Sequence, residues 1–297
     1  MGGFFLRPGL CRSGKMCYNS DSKMKPREGI HPMALLHVDF FSDVLGMCTN
    51  MDVILPETTV GQIGMEGHGS DGKCPTLYLL HGMSDDHTIW QRRTSIERYA
   101  ADYGIAVVMP STQLGWYTDM HIGFPWFTYI TQELPAICRS FFPNMSEKRE
   151  DTFVAGLSMG GYGALKCALR APETYCAAAS LSGAVDVSAL TLEKPAGERG
   201  YWEDVFGPAQ AIAGSENDLF AVSERLAASG KALPKLYMWC GTEDGLYGQN
   251  VRLRDHLRAK GYDLTYEESP GDHQWKYWDE KIQTVLSWLP ISKPAKN

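Results

Sequence analysis

The sequence lacks three features that would define its class at once. No stretch approaches the roughly 18 apolar residues of a membrane-spanning helix, so no membrane partner is expected. The formal net charge is −7 and no basic patch is evident, which argues against a nucleic-acid partner. The eight cysteines include no Cys-x-x-Cys spacing and have no histidine clusters beside them. We therefore expect unpaired thiols in a reducing compartment, the cytoplasm, no cysteine–histidine zinc site, and a small-molecule ligand.

Regular periodicity is also missing from residues 1–32, which mix Gly, Lys, Ser and Pro. They contain only short apolar fragments, unlike a signal peptide, and are expected to form a disordered extension. The remaining residues, 33–297, repeat a strand-then-helix pattern and are numerous enough to bury one large core. We expect a single α/β domain there; the sequence leaves open whether it forms a homo-oligomer.

Apolar runs predict a mostly parallel sheet with helices on both faces. The first two strands, separated by a glycine-containing turn, are expected to pair antiparallel, and 57–74 to form a connecting loop. The predicted strands are 35–45, 50–56, 75–80, 105–109, 153–157, 177–182, 235–240 and 264–268. Helices are predicted at 95–103, 131–142, 251–257 and 278–289 and directly after Ser158, with Pro135 placed near a first helical turn, where proline is tolerated.

The most informative stretch is Gly156-Leu157-Ser158-Met159-Gly160, between a buried strand and a helix. Such a Gly-x-Ser-x-Gly pattern is typical of a nucleophile elbow, a sharp turn that exposes the serine hydroxyl above the sheet. The Met159 amide, at the helix N-terminus, is free to meet a developing oxyanion. The alternative, an ordinary Gly/Ser turn, is disfavoured by the strand-turn-helix context.

A serine nucleophile needs a base and an orienting carboxylate, and candidates for both follow later strands. Asp244 follows the strand at 235–240, and His273 follows the strand at 264–268. The order Ser158, Asp244, His273 is the chain order of α/β-hydrolases. Glu243 and Asp272 are rival carboxylates; Asp244 is favoured because Asp272 adjoins His273 too closely to face its Nδ1 easily.

The strand at 75–80 ends in His81-Gly82-Met83, where an α/β-hydrolase draws its second oxyanion donor. We expect the Met83 amide to be that donor, and the His81 side chain to bridge and hold the loop rather than transfer protons. The loop 111–127 is rich in aromatic residues and follows a strand end, so Trp116, Tyr117 and Trp126 are candidates for the substrate-pocket wall. Packing between loop and core is the alternative for each ring.

About fifty residues, 183–234, carry no clear strand pattern. This length predicts a helical lid inserted between strands, with Trp202 as a candidate for substrate contact. A plain helical excursion on the surface is the alternative.

Taken together, the motifs resemble the esterase D superfamily, especially its bacterial tributyrin esterase and feruloyl (cinnamoyl) esterase branch. The resemblance covers roughly residues 34–290 and is carried by Leu80-His81-Gly82-Met83, Gly156–Gly161, Cys240–Asp244 and Gly271–Trp275. It implies a single-domain α/β-hydrolase, a serine carboxylesterase without metal or organic cofactor. It also implies Ser158, Asp244 and His273 as triad and the Met83 and Met159 amides as oxyanion hole. The chain is similar, too, to S-formylglutathione hydrolases and more distantly to mycolyl transferases.

Three functions remain open. The first is hydrolysis of short acyl or hydroxycinnamoyl (feruloyl) esters, the second is hydrolysis of the thioester S-formylglutathione, and the third is a catalytically silent binding protein. The full set of triad residues argues against the third. The aromatic loop and the long insertion favour a planar or apolar acyl group over formyl.

Overall fold

The computed structural model describes residues 34–56 and 72–291. One eight-stranded sheet runs through them. Its strands are β1 (Ala34–Ser42), β2 (Met47–Leu55), β3 (Thr76–Leu80), β4 (Ala106–Pro110), β5 (Thr152–Leu157), β6 (Ala177–Leu181), β7 (Lys235–Gly241) and β8 (Leu264–Ser269). They lie in the order β1-β2-β4-β3-β5-β6-β7-β8.

The sheet is mostly parallel, as predicted. β2 pairs antiparallel with β1 on one side and with β4 on the other, while the pairs from β4 to β8 are all parallel. The carboxyl ends of β3, β5, β6, β7 and β8 therefore meet at one edge of the sheet, where side chains from distant parts of the chain can converge.

Helices cover both faces. They are α1 (Ile89–Arg93), α2 (Ile96–Ala101), α3 (Trp126–Thr128), α4 (Leu134–Phe141), α5 (Met159–Arg170), α6 (Val187–Leu192), α7 (Gly200–Phe206), α8 (Ala209–Ile212), α9 (Leu219–Ala228), α10 (Tyr247–Ala259) and α11 (Trp275–Trp288). Short 3₁₀ turns occupy Arg149–Asp151 and Ala196–Glu198. Among these residues, no helix combines the length and the apolar character that crossing a bilayer requires.

Strand residues alternate between two buried layers because successive side chains point to opposite faces. In β3, Tyr78 and Leu80 join the layer under α5, α9 and α10, and Leu77 and Leu79 join the layer under α1, α2 and α11. All four are at most 2% exposed, so β3 is covered on both faces, as its continuous apolar run predicts.

The helix predicted at 131–142 is different in the structure. Pro135 is the second residue of α4, in its first turn as predicted, but helical backbone already begins at Trp126 and runs into α4 without a break. A π-helical turn at Tyr129–Glu133 precedes the proline, and the Leu134 N–H donates to the Tyr129 carbonyl, five residues back. Proline has no N–H and its ring crowds the preceding turn, so a widened turn accommodates it without ending the helix.

The insertion predicted at 183–234 is helical and holds α6 to α9. Two aspartates define where its helices begin. Asp186 accepts the Ala189 N–H at 3.0 Å before α6, and Asp218 accepts the Phe220 N–H at 3.0 Å before α9. These carboxylates satisfy amides that have no partner within their helix.

Two predictions fall outside the described residues. The disordered extension at 1–32 lies there entirely, and the connecting loop at 57–74 lies there except for 72–74. The first hairpin does fall inside. Its turn occupies residues 43–46, earlier than predicted, because β2 already begins at Met47.

Candidate active site

Ser158 lies in a strained turn between β5 and α5. Its φ of 51° and ψ of −116° fall outside the regions that non-glycine residues favour. The turn runs close to the neighbouring strand, since a Cβ on Gly160 would lie 2.5 Å from the Leu80 carbonyl oxygen. Leu157 and Met159 are buried and Ser158 is half-buried, so the turn presents the serine towards solvent. This is the geometry that the elbow pattern predicts.

His273 and Asp244 meet although they follow different strands. The His273 Nδ1–H donates to Asp244 Oδ2 at 2.7 Å, with the carboxylate 1% exposed and the imidazole 37% exposed. Burial raises the pKa of Asp244, but hydrogen bonds from His273 and the Leu246 amide outweigh it and hold the pKa below its ordinary value. The carboxylate is therefore charged at neutral pH and leaves Nε2 as the ring nitrogen that can accept a proton.

The two rival carboxylates have other partners. Glu243 Oε2 accepts the Gly271 N–H, which keeps the pKa of Glu243 below its ordinary value. Asp272 Oδ2 accepts from the Gln274 side-chain amide at 2.6 Å. Of these three residues, all in the described part of the chain, Asp244 is the one whose hydrogen bond to the His273 ring the structure records.

The His81 ring links the loop after β3 to the loop after β4. Its Nε2 accepts the Thr112 N–H at 3.0 Å, so its proton is on Nδ1, which donates to the Gly82 carbonyl at 2.8 Å. Burial lowers the pKa of His81 to about 4, which keeps the ring neutral at physiological pH. These bonds are those of the bridging role that the sequence favours for this side chain.

The same bonds orient the next peptide. The Gly82 carbonyl is held by His81 and also accepts the Asp85 N–H at 3.3 Å. In a trans peptide the N–H points away from the carbonyl, so the Met83 N–H is turned away from these partners. Gly82 is beside the elbow, because a Cβ on it would lie 3.8 Å from the Ser158 Cβ.

The four aromatic candidates for substrate contact pack differently. Tyr117 is fully buried and its hydroxyl donates to the His81 carbonyl at 2.9 Å, which holds the loop after β3 in place. Trp116 and Trp126 are each 2% exposed, while Trp202 is half-buried with its ring centroid 5.2 Å from that of Trp116. Each ring therefore has a packing partner within the fold, and its contact with substrate stays a prediction.

A model of the family described as "Putative esterase" matches residues 45–289. The chain belongs to this esterase family. An acetyl esterase from Caldicellulosiruptor saccharolyticus is 32% identical over 268 residues, covering 86% of this chain and 98% of that protein. The predicted resemblance is thereby confirmed, and the protein is a carboxylic ester hydrolase of the serine-esterase type.

Solved structures give the same result for this esterase. Its fold matches the fluorophosphonate-binding serine hydrolase F of Staphylococcus aureus with a TM-score of 0.76 and 35% identity, over 87% of this chain and 99% of that one. An S-formylglutathione hydrolase (FrmB) from the same organism matches with a TM-score of 0.74 and 34% identity, over the same shares. The predicted α/β-hydrolase fold is confirmed.

Several hydrogen bonds connect the insertion of the esterase, residues 183–234, to the aromatic loop, residues 111–127. The Tyr201 hydroxyl accepts from Trp116 Nε1 and donates to the Leu114 carbonyl, both at 2.8 Å. The backbone N–H groups of His121 and Ile122 donate to the Val205 and Asp204 carbonyls. α7 is thereby joined to the aromatic loop by side-chain and backbone hydrogen bonds.

A buried lysine also connects the insertion to the aromatic loop. Lys166, on α5, donates to Thr118 Oγ1 at 2.5 Å and to Asn217 Oδ1 at 2.7 Å, between the aromatic loop and the insertion. Burial lowers its pKa to about 7, with the Arg170 charge adding to the effect. The insertion is therefore anchored to both the loop and the elbow helix.

A cavity of about 210 Å³ lies beside the loop that follows β3 in the esterase. Its polar lining residues are Thr49, Asn50, Asp86, His87, Ser111 and Gln113. Within residues 34–56 and 72–291, no three His, Cys, Asp or Glu side chains are arranged to hold a metal ion.

Two residues near His273 were not singled out from the sequence. Trp278 Nε1 donates to Ser182 Oγ at 3.2 Å, and the Trp278 ring lies 4.8 Å from the His273 ring, centroid to centroid, at 83°. The sequence indicates Ser182 only by its position, since it directly follows β6, which lies between the strands that lead to Ser158 and Asp244.

Proposed function

We propose that Ser158, His273 and Asp244 form a catalytic triad that hydrolyses small esters through an acyl-enzyme. The observation that carries the proposal is the 2.7 Å hydrogen bond between His273 and Asp244, at the sheet edge where β5 ends in the Ser158 elbow. Ser158 Oγ attacks the ester carbonyl while His273 Nε2 takes its proton. Asp244 stabilises the resulting imidazolium.

The Met83 and Met159 amides supply the oxyanion hole. Met159 begins α5, so its N–H has no partner within the helix, and the Met83 N–H is turned away from the bonds that hold Gly82. Collapse of the tetrahedral intermediate releases the alcohol, which takes the proton from His273. Water, deprotonated by the same imidazole, then attacks the acyl-enzyme and frees the acid and Ser158.

Short acyl groups are the proposed substrates. The rings of Trp116, Trp202, Phe206 and Tyr162 pack against one another with centroids 5.2 to 6.2 Å apart, so these contacts would have to open before a planar feruloyl group could lie among them. The likeness to an acetyl esterase supports the same choice. From the sequence, the aromatic loop and the long insertion favour a planar or apolar acyl group; the packing of the rings supports a short acyl group instead.

S-formylglutathione hydrolysis is the second candidate. It is supported by the likeness to the FrmB hydrolase and by the cavity beside the loop that follows β3, whose Asn50, Asp86 and Gln113 suit a polar, peptide-like leaving group. A thioester passes through the same tetrahedral intermediate, so the triad and amides have the same roles.

Ser158→Ala tests the nucleophile. We expect hydrolysis of p-nitrophenyl acetate to fall by a factor of order 10⁶, as when a serine hydrolase loses its nucleophile, with an unchanged circular dichroism spectrum. Ser223→Ala is the control, because Ser223 is buried and its hydroxyl donates to the Phe220 carbonyl within the insertion, while its backbone bond to Tyr262 is kept. Retained activity in Ser158→Ala would exclude the proposed triad.

A substrate panel separates the two functions. We expect kcat/KM to be highest for p-nitrophenyl acetate and butyrate and lowest for methyl ferulate. A higher kcat/KM for S-formylglutathione, lowered by Gln113→Ala without change for the acetate, would instead establish the second function.

A further inference from the structure

Ser182 is held in an unusual conformation at the end of β6. Its φ is 48°, in the left-handed region that serine rarely adopts, and the residue is fully buried. Its N–H donates to the Trp239 carbonyl on β7 at 2.7 Å. The backbone is thus fixed between the strands that lead to Ser158 and Asp244, and the direction of the side chain is fixed with it.

The Ser182 hydroxyl contacts the ring that abuts the base. Trp278 can only donate through Nε1, so at 3.2 Å Ser182 Oγ is the acceptor. The perpendicular Trp278 ring then packs against His273, 4.8 Å away between centroids. α11 begins at Trp275, two residues after His273, so this contact also fixes the loop that carries the base.

The Ser182 hydroxyl therefore holds the aromatic neighbour of the base in place. Trp278 is 4% exposed, so its N–H would be left without a partner if the Ser182 hydroxyl were removed.

We propose that Ser182 is a positioning residue of the triad, which accepts the Trp278 Nε1–H and so holds the Trp278 ring against His273. The inference rests on the proposed triad and goes beyond it. Ser182 touches neither substrate nor reacting atoms; it acts through Trp278.

Ser182→Ala tests this directly. We expect kcat for p-nitrophenyl acetate to fall about 10-fold, because the buried Trp278 N–H loses its partner and the ring no longer holds His273 in position, with KM nearly unchanged. The matched control is Ser180→Ala, since Ser180 lies on β6 two residues before Ser182, is fully buried and has a hydroxyl without a hydrogen-bond partner. Ser182→Gly also removes the hydroxyl, and glycine adopts the positive φ without strain, so kcat should fall as far as in Ser182→Ala. With two variants, a folding defect in one does not hide the effect.

Two further measurements distinguish positioning from packing. In an Asp244→Asn background, Ser182→Ala should lower kcat by less than about a further twofold, because the effects of residues that act as one unit are not additive. The low-field ¹H NMR signal of the His273 Nδ1 proton should shift in Ser182→Ala and stay in place in Ser180→Ala. If Asp244→Asn loses most of its kcat but Ser182→Ala has the same kcat and NMR signal as Ser180→Ala, the inference about Ser182 is wrong and the triad stands. If Asp244→Asn is fully active, the triad itself is wrong, and the inference with it.

Discussion

At the scale of residues, three carboxylates lie close to His273 in sequence or in space, and their hydrogen bonds separate them. Asp244 bonds the ring, Glu243 bonds the Gly271 backbone and Asp272 bonds Gln274. Only a carboxylate on Nδ1 can both fix the tautomer and stabilise the imidazolium that forms during attack.

Asp244→Asn should therefore lower kcat by a factor on the order of 10⁴, the loss seen for the equivalent change in a serine protease, while leaving KM nearly unchanged. Glu243→Gln and Asp272→Asn are the matched controls and should lose far less. All three would be assayed at one pH with p-nitrophenyl acetate. If Glu243→Gln or Asp272→Asn instead shows the large loss of kcat, the orienting carboxylate has been misassigned.

The sequence predicts some of these residues and not others for a physical reason. Ser158, Asp244 and His273 follow apolar strand runs and stand in patterns of glycine and acidic residues that few other functions need. Ser182 and Trp278 carry no such pattern, and their hydrogen bond joins positions 96 residues apart. A contact between two ordinary side chains that distant in the chain becomes visible only once the strand order is known.

At the scale of elements, strands and most helices follow from apolar periodicity, and the exceptions are local. Pro135 suggests a helix start, yet the π-turn at Tyr129–Glu133 lets the helix run through it. Periodicity also predicts an insertion at 183–234 but not its attachment. That attachment depends on single polar contacts such as the Tyr201 hydroxyl, which a sequence pattern does not encode.

Tyr201→Phe tests the attachment of the insertion. It removes both hydrogen bonds of the hydroxyl and leaves the Trp116 N–H, on a side chain that is 2% exposed, without its partner. We expect unfolding free energy to fall by about 1–3 kcal/mol and amide exchange in residues 200–206 to quicken. Tyr247→Phe is the control, because the Tyr247 hydroxyl bonds Glu268 at the exposed surface. Equal stability and exchange in the two variants would contradict a structural role for this contact.

At the scale of the whole molecule, a neutral buried histidine links stability to pH. The folded-state pKa of His81 is about 4, against an ordinary value of 6.5. Between these values the unfolded chain binds a proton that the folded chain does not, so the stabilising contribution is complete above pH 6.5 and is lost as pH falls towards 4.

Urea unfolding of the wild type and of His81→Gln at pH 7, 6, 5 and 4 checks this. The wild type should lose roughly 3 kcal/mol of stability relative to the variant across that range, because each pKa unit corresponds to about 1.4 kcal/mol. Using the difference cancels the contribution of other titrating groups. If the unfolding free energies of the wild type and His81→Gln change in parallel with pH, His81 is not the group responsible.

The position of His273 after the edge strand β8 has a consequence for the nascent protein. During synthesis Ser158 emerges from the ribosome about a hundred residues ahead of its base, which at roughly 5–20 residues per second is a delay of order 10 s. Even a chain that has already formed its elbow would have no group to deprotonate the serine in that interval. With the proposed triad, hydrolysis thus begins only after His273 has emerged, and a chain released before that point lacks the base.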